Sequence, residues 1–305
     1  MAFGLFGVGI RQSIFCRTYL AQTSPMKIPK RIQTLVAEGL VDEVIRQLMS
    51  GKEATVYMVR CGEEIRCAKV YKEAKQRSFR NNASYQEGRK VKNSRHARAI
   101  EKGTRYGRQM QEEAWQNAEV DALYRLAAVG VSVPQPFVCY EGVLLMELVT
   151  DADGNPAPRL NDIELSAEQA LTLHAALLNQ VVRMLCAGII HGDLSEYNIL
   201  VGAAGPVIID LPQAVDAAAN SNAATMLERD VANLTSYFGQ FAPVLASSEY
   251  GKEIWRLYLA GQLNPDSELT GRIEVDHHVA DVAAVLEEVR LALLEEERRK
   301  LYQGG

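Results

Sequence analysis

Apolar positions along the chain change their period several times, and these changes mark out its elements. Ile32, Leu35, Val36, Leu40, Val44, Ile45 and Leu48 recur at helical spacing, which predicts two short helices broken at Gly39. Ser50-Gly51-Lys52-Glu53-Ala54 interrupts that pattern. Residues 55–60 and 65–71, rich in β-branched and aromatic side chains, then predict a hairpin around Cys61-Gly62-Glu63. Helical spacing returns from Gln109 through Trp115, Glu119, Leu123 and Leu126, with Gly130 as the C-terminal cap. Pro134 and Pro136 force residues 131–136 to be extended. Two strands follow, Phe137–Tyr140 and Val143–Val149, around Glu141-Gly142. Asp151–Pro158, rich in Asp, Gly and Pro, reads as a linker.

The second half is mainly helical. Ser166–Ala187 carries a strong apolar face and a capping pattern, Ser166 with Gln169 three residues later. Met226–Phe241, Glu249–Leu263 and Asp281–Leu301 are three further predicted helices. Between the first and second of these four, two apolar runs, Ile199–Val201 and Val207–Ile209, predict a hairpin. That hairpin brings Asp193, Asn198 and Asp210 toward one mouth. It offers one carboxylate for a hydroxyl and two oxygen ligands for a hard cation. Magnesium suits such a site, because it takes few protein ligands and fills its shell with water and phosphate oxygens. The Ser50–Ala54 loop has one glycine and taken alone reads as a surface turn, just as Lys69 alone reads as a solvated strand lysine.

Composition adds limits. A length of 305 residues allows one two-lobed domain or two ordinary ones, and 48% hydrophobic with 23% charged residues is a globular composition. The net charge of −5 argues against a protein that coats nucleic acid. It hides one asymmetry: residues 72–108 hold twelve Lys/Arg against three Glu, a local charge of +9. This segment reads either as a solvated insertion or as a docking surface for RNA or an acidic partner. Five scattered cysteines (Cys16, Cys61, Cys67, Cys139, Cys186) form no CxxC pair, which argues against a disulfide framework or zinc site and for a reducing cytoplasm. They read mostly as small buried apolar side chains. His96, His174, His277 and His278 lack metal-ligand spacing and read as structural or surface residues. No run of 18 apolar residues predicts a membrane span. Residues 1–27 read as an N-terminal extension, either disordered or a mis-assigned start ahead of Met26.

The order of parts is that of a protein kinase: a loop and hairpin with Lys69, a helix with Glu119, two strands, a linker, then Asp-x4-Asn and the hairpin aspartate. Several segments narrow the likeness. They are Ser50-Gly51-Lys52-Glu53-Ala54, residues 131–136, Leu144-Leu145-Met146-Glu147, residues 191–198 (His-Gly-Asp-Leu-Ser-Glu-Tyr-Asn), residues 209–215 (Ile-Asp-Leu-Pro-Gln-Ala-Val) and Leu227-Glu228-Arg229-Asp230-Val231. In these the chain resembles the RIO family of atypical serine/threonine protein kinases, nearest the bacterial type of its first subfamily, over about residues 28–240.

The resemblance implies an α+β, bilobal protein-kinase-like fold, with a small β-rich N-lobe, a mainly helical C-lobe and no full activation segment. The N-lobe would be residues 28–150, with the basic insertion at 72–108, and the C-lobe residues 151–305. It implies ATP and Mg2+ as cofactors, with Mn2+ as an alternative. Lys69 would contact the phosphates and be held by Glu119, although Glu112 and Glu113 compete on spacing alone. Asp193 would accept or orient the substrate hydroxyl, and Asn198 and Asp210 would ligate the metal. Backbone groups of Glu147 and Val149 would bind adenine with Met146 behind it. Ser50, Gly51, Lys52, Glu53, Ala54 and Val56 would line the nucleotide site.

The expected partners are ATP, a protein substrate of unknown identity and a ribosomal or RNA contact through residues 72–108, with no membrane. Gly192 stands where ordinary kinases carry arginine, Asp210-Leu211-Pro212 lacks the Phe and Gly of Asp-Phe-Gly, and no Ala-Pro-Glu follows. These departures agree with the RIO pattern and bear on peptide phosphorylation. Similar RIO proteins are associated with small-subunit maturation and can form a phospho-aspartate at the position of Asp210. Three expectations follow: a serine/threonine kinase that also phosphorylates itself, an ATPase-type conformational switch in ribosome maturation, or a small-molecule phosphotransferase.

Overall fold

The structure is a computed structural model and describes residues 28–72 and 118–273. The N-terminal extension, nearly all of the basic segment, Glu112, Glu113, Trp115, the predicted helix 281–301, Cys16 and three of the histidines lie outside the described residues.

Helix α1 (Lys30–Ala37) ends at Gly39, whose φ of +71° suits glycine. Gly39 N–H donates to Val36 O and Leu40 N–H to Leu35 O, the paired bonds of a Schellman cap. The predicted second helix does not form. Residues 43–50 are strand β1 (Glu43–Ser50), which pairs with β2 (Ala54–Cys61). The register of that pair slips twice, between Val44 and Arg46 and again between Gln47 and Met49. Each bulge breaks the alternation of inward and outward side chains, so Val44, Ile45 and Leu48 fall at a spacing that imitates a helix.

The predicted hairpin is present as β2 and β3 (Glu64–Tyr71). Residues 118–128 are helical and form the described part of α2, which ends at Gly130 with φ of +74°. Strands β4 (Pro136–Tyr140) and β5 (Val143–Glu147) complete an antiparallel sheet of order β1-β2-β3-β5-β4. One face of this sheet packs Tyr57, Val59, Ala68, Val70 and Leu145 against Ile32 and Leu35 of α1. The other face, through Ala54, Tyr71 and Leu144, joins the larger core that runs on into the helical half.

That half is built on α3 (Ala167–Cys186), whose capping box is complete: Ser166 Oγ accepts from Gln169 N–H, and the Gln169 side chain accepts from Ser166 N–H. After the short strand β6 (Ile189–Ile190), strands β7 (Ile199–Gly202) and β8 (Gly205–Ile208) form the second predicted hairpin. β9 (Val215–Asp216) pairs with β6. Helices α4 (Ala223–Gly239) and α5 (Tyr250–Leu259) pack behind. The architecture is thus α+β in two lobes, a small sheet-based lobe above a helical one, as in protein kinases.

The four described cysteines are free, and Cys67 is buried, which pushes its thiol up to about 12. Cys139 and Cys186 are exposed, contrary to the expected burial, because they sit on an edge strand and in the last turn of a helix. His174 is buried against Phe238 and Tyr250, a structural position as expected. No helix among the described residues is long and apolar enough to cross a membrane.

Candidate active site

The site begins with a row across the sheet. Val56 pairs with Lys69 and Lys69 with Leu144, so these side chains share the face turned toward the helical lobe. Lys69 is buried there, and its Nζ donates to Glu119 Oε1 at 2.5 Å and to Asp210 Oδ1 at 2.8 Å. Glu119, on α2, is 1% exposed. Its second oxygen accepts from the Tyr71 hydroxyl at 2.6 Å. Tyr71 lies two residues beyond Lys69 on the same strand face, so β3 supplies both donors to one carboxylate. Burial works against the Lys69 ammonium, but the Glu119 and Asp210 carboxylates outweigh it and hold the lysine above its ordinary value. The same ammonium pulls the Asp210 carboxyl below its usual range, against burial.

Asp210 follows the end of β8 by two residues and has φ of +67°, a left-handed backbone that aspartate tolerates better than most residues. That turn carries its carboxylate to Lys69. Asn198 immediately precedes β7, and its backbone O accepts from Ile209 N–H at 2.9 Å, fastening the two ends of the hairpin together. The Asn198 side-chain amide donates to Asp193 O at 2.9 Å, which leaves Oδ1 for another partner. Asp193 is exposed at the mouth, with Oδ2 accepting from Gln213 Nε2 at 3.0 Å. Burial raises the Asp193 carboxyl, as does the charge of Asp210, while Arg229 and the Gln213 bond oppose the rise.

His191 is buried, and its Nε2 donates to Ile209 O at 3.1 Å. With that proton fixed, Nδ1 accepts from Asp193 N–H at 3.3 Å, and burial keeps the ring below its ordinary pKa. Beneath the loop stands Asp230 of α4, 1% exposed, accepting from Gly192 N–H at 2.7 Å and Leu194 N–H at 3.1 Å. Its neighbour Arg229 donates to Gly192 O, and Asn233 to Leu194 O. Burial lifts the Asp230 carboxyl to about 7 against those donors. Residues 227–231 carry part of the family likeness in the sequence, but local spacing assigns no role to Asp230, Gln213 or Tyr71. For Asp230 the signal was available: a carboxylate within the buried register of Leu227, Val231 and Leu234.

The structure therefore brings Lys69, Glu119, Asp210, Asp193 and Asn198 together. The Ser50–Ala54 turn lies at the tip of β1–β2, closed by Gly51 N–H to Ala54 O at 2.9 Å and by Lys72 Nζ to Gly51 O at 2.5 Å. Ser50, Gly51 and Lys52 are exposed, Glu53 is half-buried and Ala54 belongs to the core; Lys52 makes no hydrogen bond to the Lys69 cluster. Met146 follows Leu144 by two residues on β5, turned to the same face and packed on the larger core. Glu147 N–H is spent on Gln135 O at 2.8 Å, while no hydrogen bond among the described residues uses the Val149 N–H.

Two hard oxygens, Asp210 Oδ2 and Asn198 Oδ1, remain for a cation, and no group of three or more His, Cys, Asp or Glu among the described residues makes a closed metal cage. The donor set fits magnesium shared with a phosphate, and manganese takes the same oxygens.

Residues 55–250 match the RIO domain family. A RIO-type serine/threonine-protein kinase Rio1 of Haloferax volcanii is 34% identical over 209 residues, covering 68% of this chain and 67% of that protein. The human serine/threonine-protein kinase RIO1 is 30% identical over 206 residues, 67% of this chain but 34% of its own length. Among solved structures, the Rio2 kinase from Chaetomium thermophilum superposes with a TM-score of 0.54 at 20% identity, covering 87% of this chain and 76% of that one.

Proposed function

The chain belongs to the RIO family, and from that premise we propose that it is an ATP- and Mg2+-dependent serine/threonine kinase that phosphorylates a protein hydroxyl, its own included. The observation that carries the reading is the cluster at Lys69, which joins α2, the sheet and the β7–β8 hairpin within 2.8 Å of one ammonium, beside the exposed Asp193. Phosphoryl transfer asks for positioning and charge neutralisation more than for covalent help. A bound magnesium–ATP complex supplies the phosphoryl group and neutralises charge between its phosphates.

Lys69, held by Glu119, presents its ammonium to the phosphate chain. Asp210 and Asn198 offer Oδ2 and Oδ1 to the ion. Asp193 accepts or orients the acceptor hydroxyl, with Gln213 restraining one of its oxygens. Asp230, Arg229 and Asn233 fix the backbone of residues 192–194, so the Asp193 carboxylate stays aimed at the mouth. Val56 and Met146 furnish apolar surface on the nucleotide side of the sheet, and the Val149 N–H serves adenine. The Ser50–Ala54 turn covers the phosphates, with the exposed Lys52 free to swing toward them.

The test is labelled ATP with purified protein, with and without candidate protein acceptors. Stable label on Ser or Thr is expected. Asp193→Ala should lower turnover by about 10²–10⁴-fold while nucleotide still binds. Full turnover in that variant with every acceptor would refute the assignment, and hydroxylamine-labile label on Asp210 would favour an aspartyl-phosphate switch instead.

A further inference from the structure

Arg159 lies on the crossing from β5 to α3, two residues after Ala157, whose N–H donates to Val149 O. Its backbone forms an isolated bridge with Leu200, which seats it beside β7 only two residues past Asn198. From this floor the side chain spans the cleft mouth, with Nη2 at 2.6 Å from the sulfur of Met49 in β1. Met49 pairs with Val56, and Val56 with Lys69, so all three stand in one row on the same sheet face. Neighbouring strands lie ~4.8 Å apart, which puts Met49 roughly 10 Å along the row from Lys69. The guanidinium is near enough to Asp210 to help hold its carboxyl low. Two cations thus flank the site, Lys69 on the inner side and Arg159 on the outer, with Asp210 in range of both.

The partner of this arginine does not match its chemistry. A guanidinium presents five donors in a planar fork suited to carboxylate or phosphate, and a thioether is a weak acceptor. Among the described residues no carboxylate lies within ion-pair distance of Arg159, although the side chain is half-buried. Leaving Met49 for an anion would therefore cost little and satisfy more donors.

We propose that Arg159 is a nucleotide-binding residue that takes the phosphates of the bound nucleotide and so selects phosphorylated nucleotides over nucleosides. This rests on the nucleotide site described above. On this proposal the phosphates lie between Lys69 and Arg159. A cation on the outer side grips the phosphate chain without touching the base. Its contribution should scale with ligand charge and vanish for adenosine.

The test is equilibrium binding of ATP, ADP and adenosine to the full chain with Mg2+, comparing the unmodified protein with Arg159→Met and Arg159→Lys, with thermal unfolding as a check on folding. Arg159→Met preserves the apolar stem and removes the charge. It should weaken ATP and ADP by about ten- to hundredfold and leave adenosine within about twofold. Arg159→Lys should recover only part of the loss, because the charge returns without the fork. Equal losses for all three ligands would show a purely steric strap between floor and roof and overturn the proposal, as would no loss at all. An unmodified protein that binds none of the three would overturn the kinase reading itself, and this proposal with it. Binding of ATP to the unmodified protein with no dependence on residue 159 would overturn the proposal alone.

Discussion

Replacing Glu119 by alanine should be among the most costly single changes in the molecule, and its size can be worked out from its contacts. Glu119 is 1% exposed and takes one bond from Lys69 at 2.5 Å and another from the Tyr71 hydroxyl at 2.6 Å. Breaking a buried ion pair from one side costs about 3–5 kcal/mol, because the remaining charge is left desolvated. Here Lys69 keeps a second carboxylate, Asp210, at 2.8 Å, so its charge is not left unpaired and the low end, about 3 kcal/mol, applies. Loss of the bond from the Tyr71 hydroxyl adds about 1 kcal/mol. A total near 4 kcal/mol should lower Tm by about 10 °C in a domain of this size. Glu119→Gln keeps the shape and an acceptor for Lys69, and should lose about half as much. Thermal and urea unfolding, followed by circular dichroism at pH 7, measure both. A double-mutant cycle with Lys69→Met isolates the pair and should return a coupling of about 2 kcal/mol. A Tm shift below about 2 °C for Glu119→Ala, or strict additivity in the cycle, would refute the buried pair.

Two other outcomes probe the supports of the site. His174 is buried, bonded only weakly to Thr235 Oγ1 at 3.3 Å, and burial lowers its pKa to about 4. The unfolded chain therefore takes up the proton first: stability from this residue is whole above pH 6.5 and falls as pH drops toward 4, by about 3 kcal/mol. Unfolding of His174→Gln across that range should show a flatter slope, and an unchanged slope would dismiss the residue as the cause. Asp230→Ala removes the acceptor for the buried N–H groups of Gly192 and Leu194, and should cost about 2–4 kcal/mol. In the variant that remains folded, kcat should collapse while nucleotide affinity holds, since Lys69 and Asp210 are untouched; loss of affinity with kcat preserved would contradict this division of labour.

Much of this fold could be read where local chemistry and packing agree. The capping box at Ser166 and Gln169 and the glycines at 39 and 130 mark helix ends in the sequence, and each acts as such an end in the structure. The β2–β3 and β7–β8 hairpins show themselves through β-branched runs broken by short turns. Strand β1 fails this test because its two bulges erase the period-2 signal, and only pairing with β2, a tertiary event, decides its conformation. The site divides in a similar way. Asp193, Asn198 and Asp210 sit close in sequence on one hairpin, so spacing brings them together. Tyr71 and Gln213 act through side chains that reach across elements, and nothing in their local spacing announces a carboxylate partner 48 or 20 residues away.

The supports of the cleft divide into those internal to each side and those that cross its mouth, above a core that the two lobes share. Residues 191–198 are tied to α4 through Asp230, Arg229 and Asn233 and to the β7–β8 hairpin through His191 and Asn198. Lys69 and Tyr71 are tied to Glu119 of α2. Only two of the polar links described above span the gap at the mouth: the ion pair of Lys69 with Asp210, and Arg159 on Met49. The first uses groups that the proposed function assigns to phosphate and metal, and the second uses the arginine inferred above to take phosphate. A bound nucleotide would therefore compete for these same groups and replace direct links between lobes by links through itself, while the Glu119 pair and the Asp230 anchor stay intact. The Glu119 pair and the Asp230 anchor keep their partners, and the links that cross the mouth are the ones left to respond to ligand.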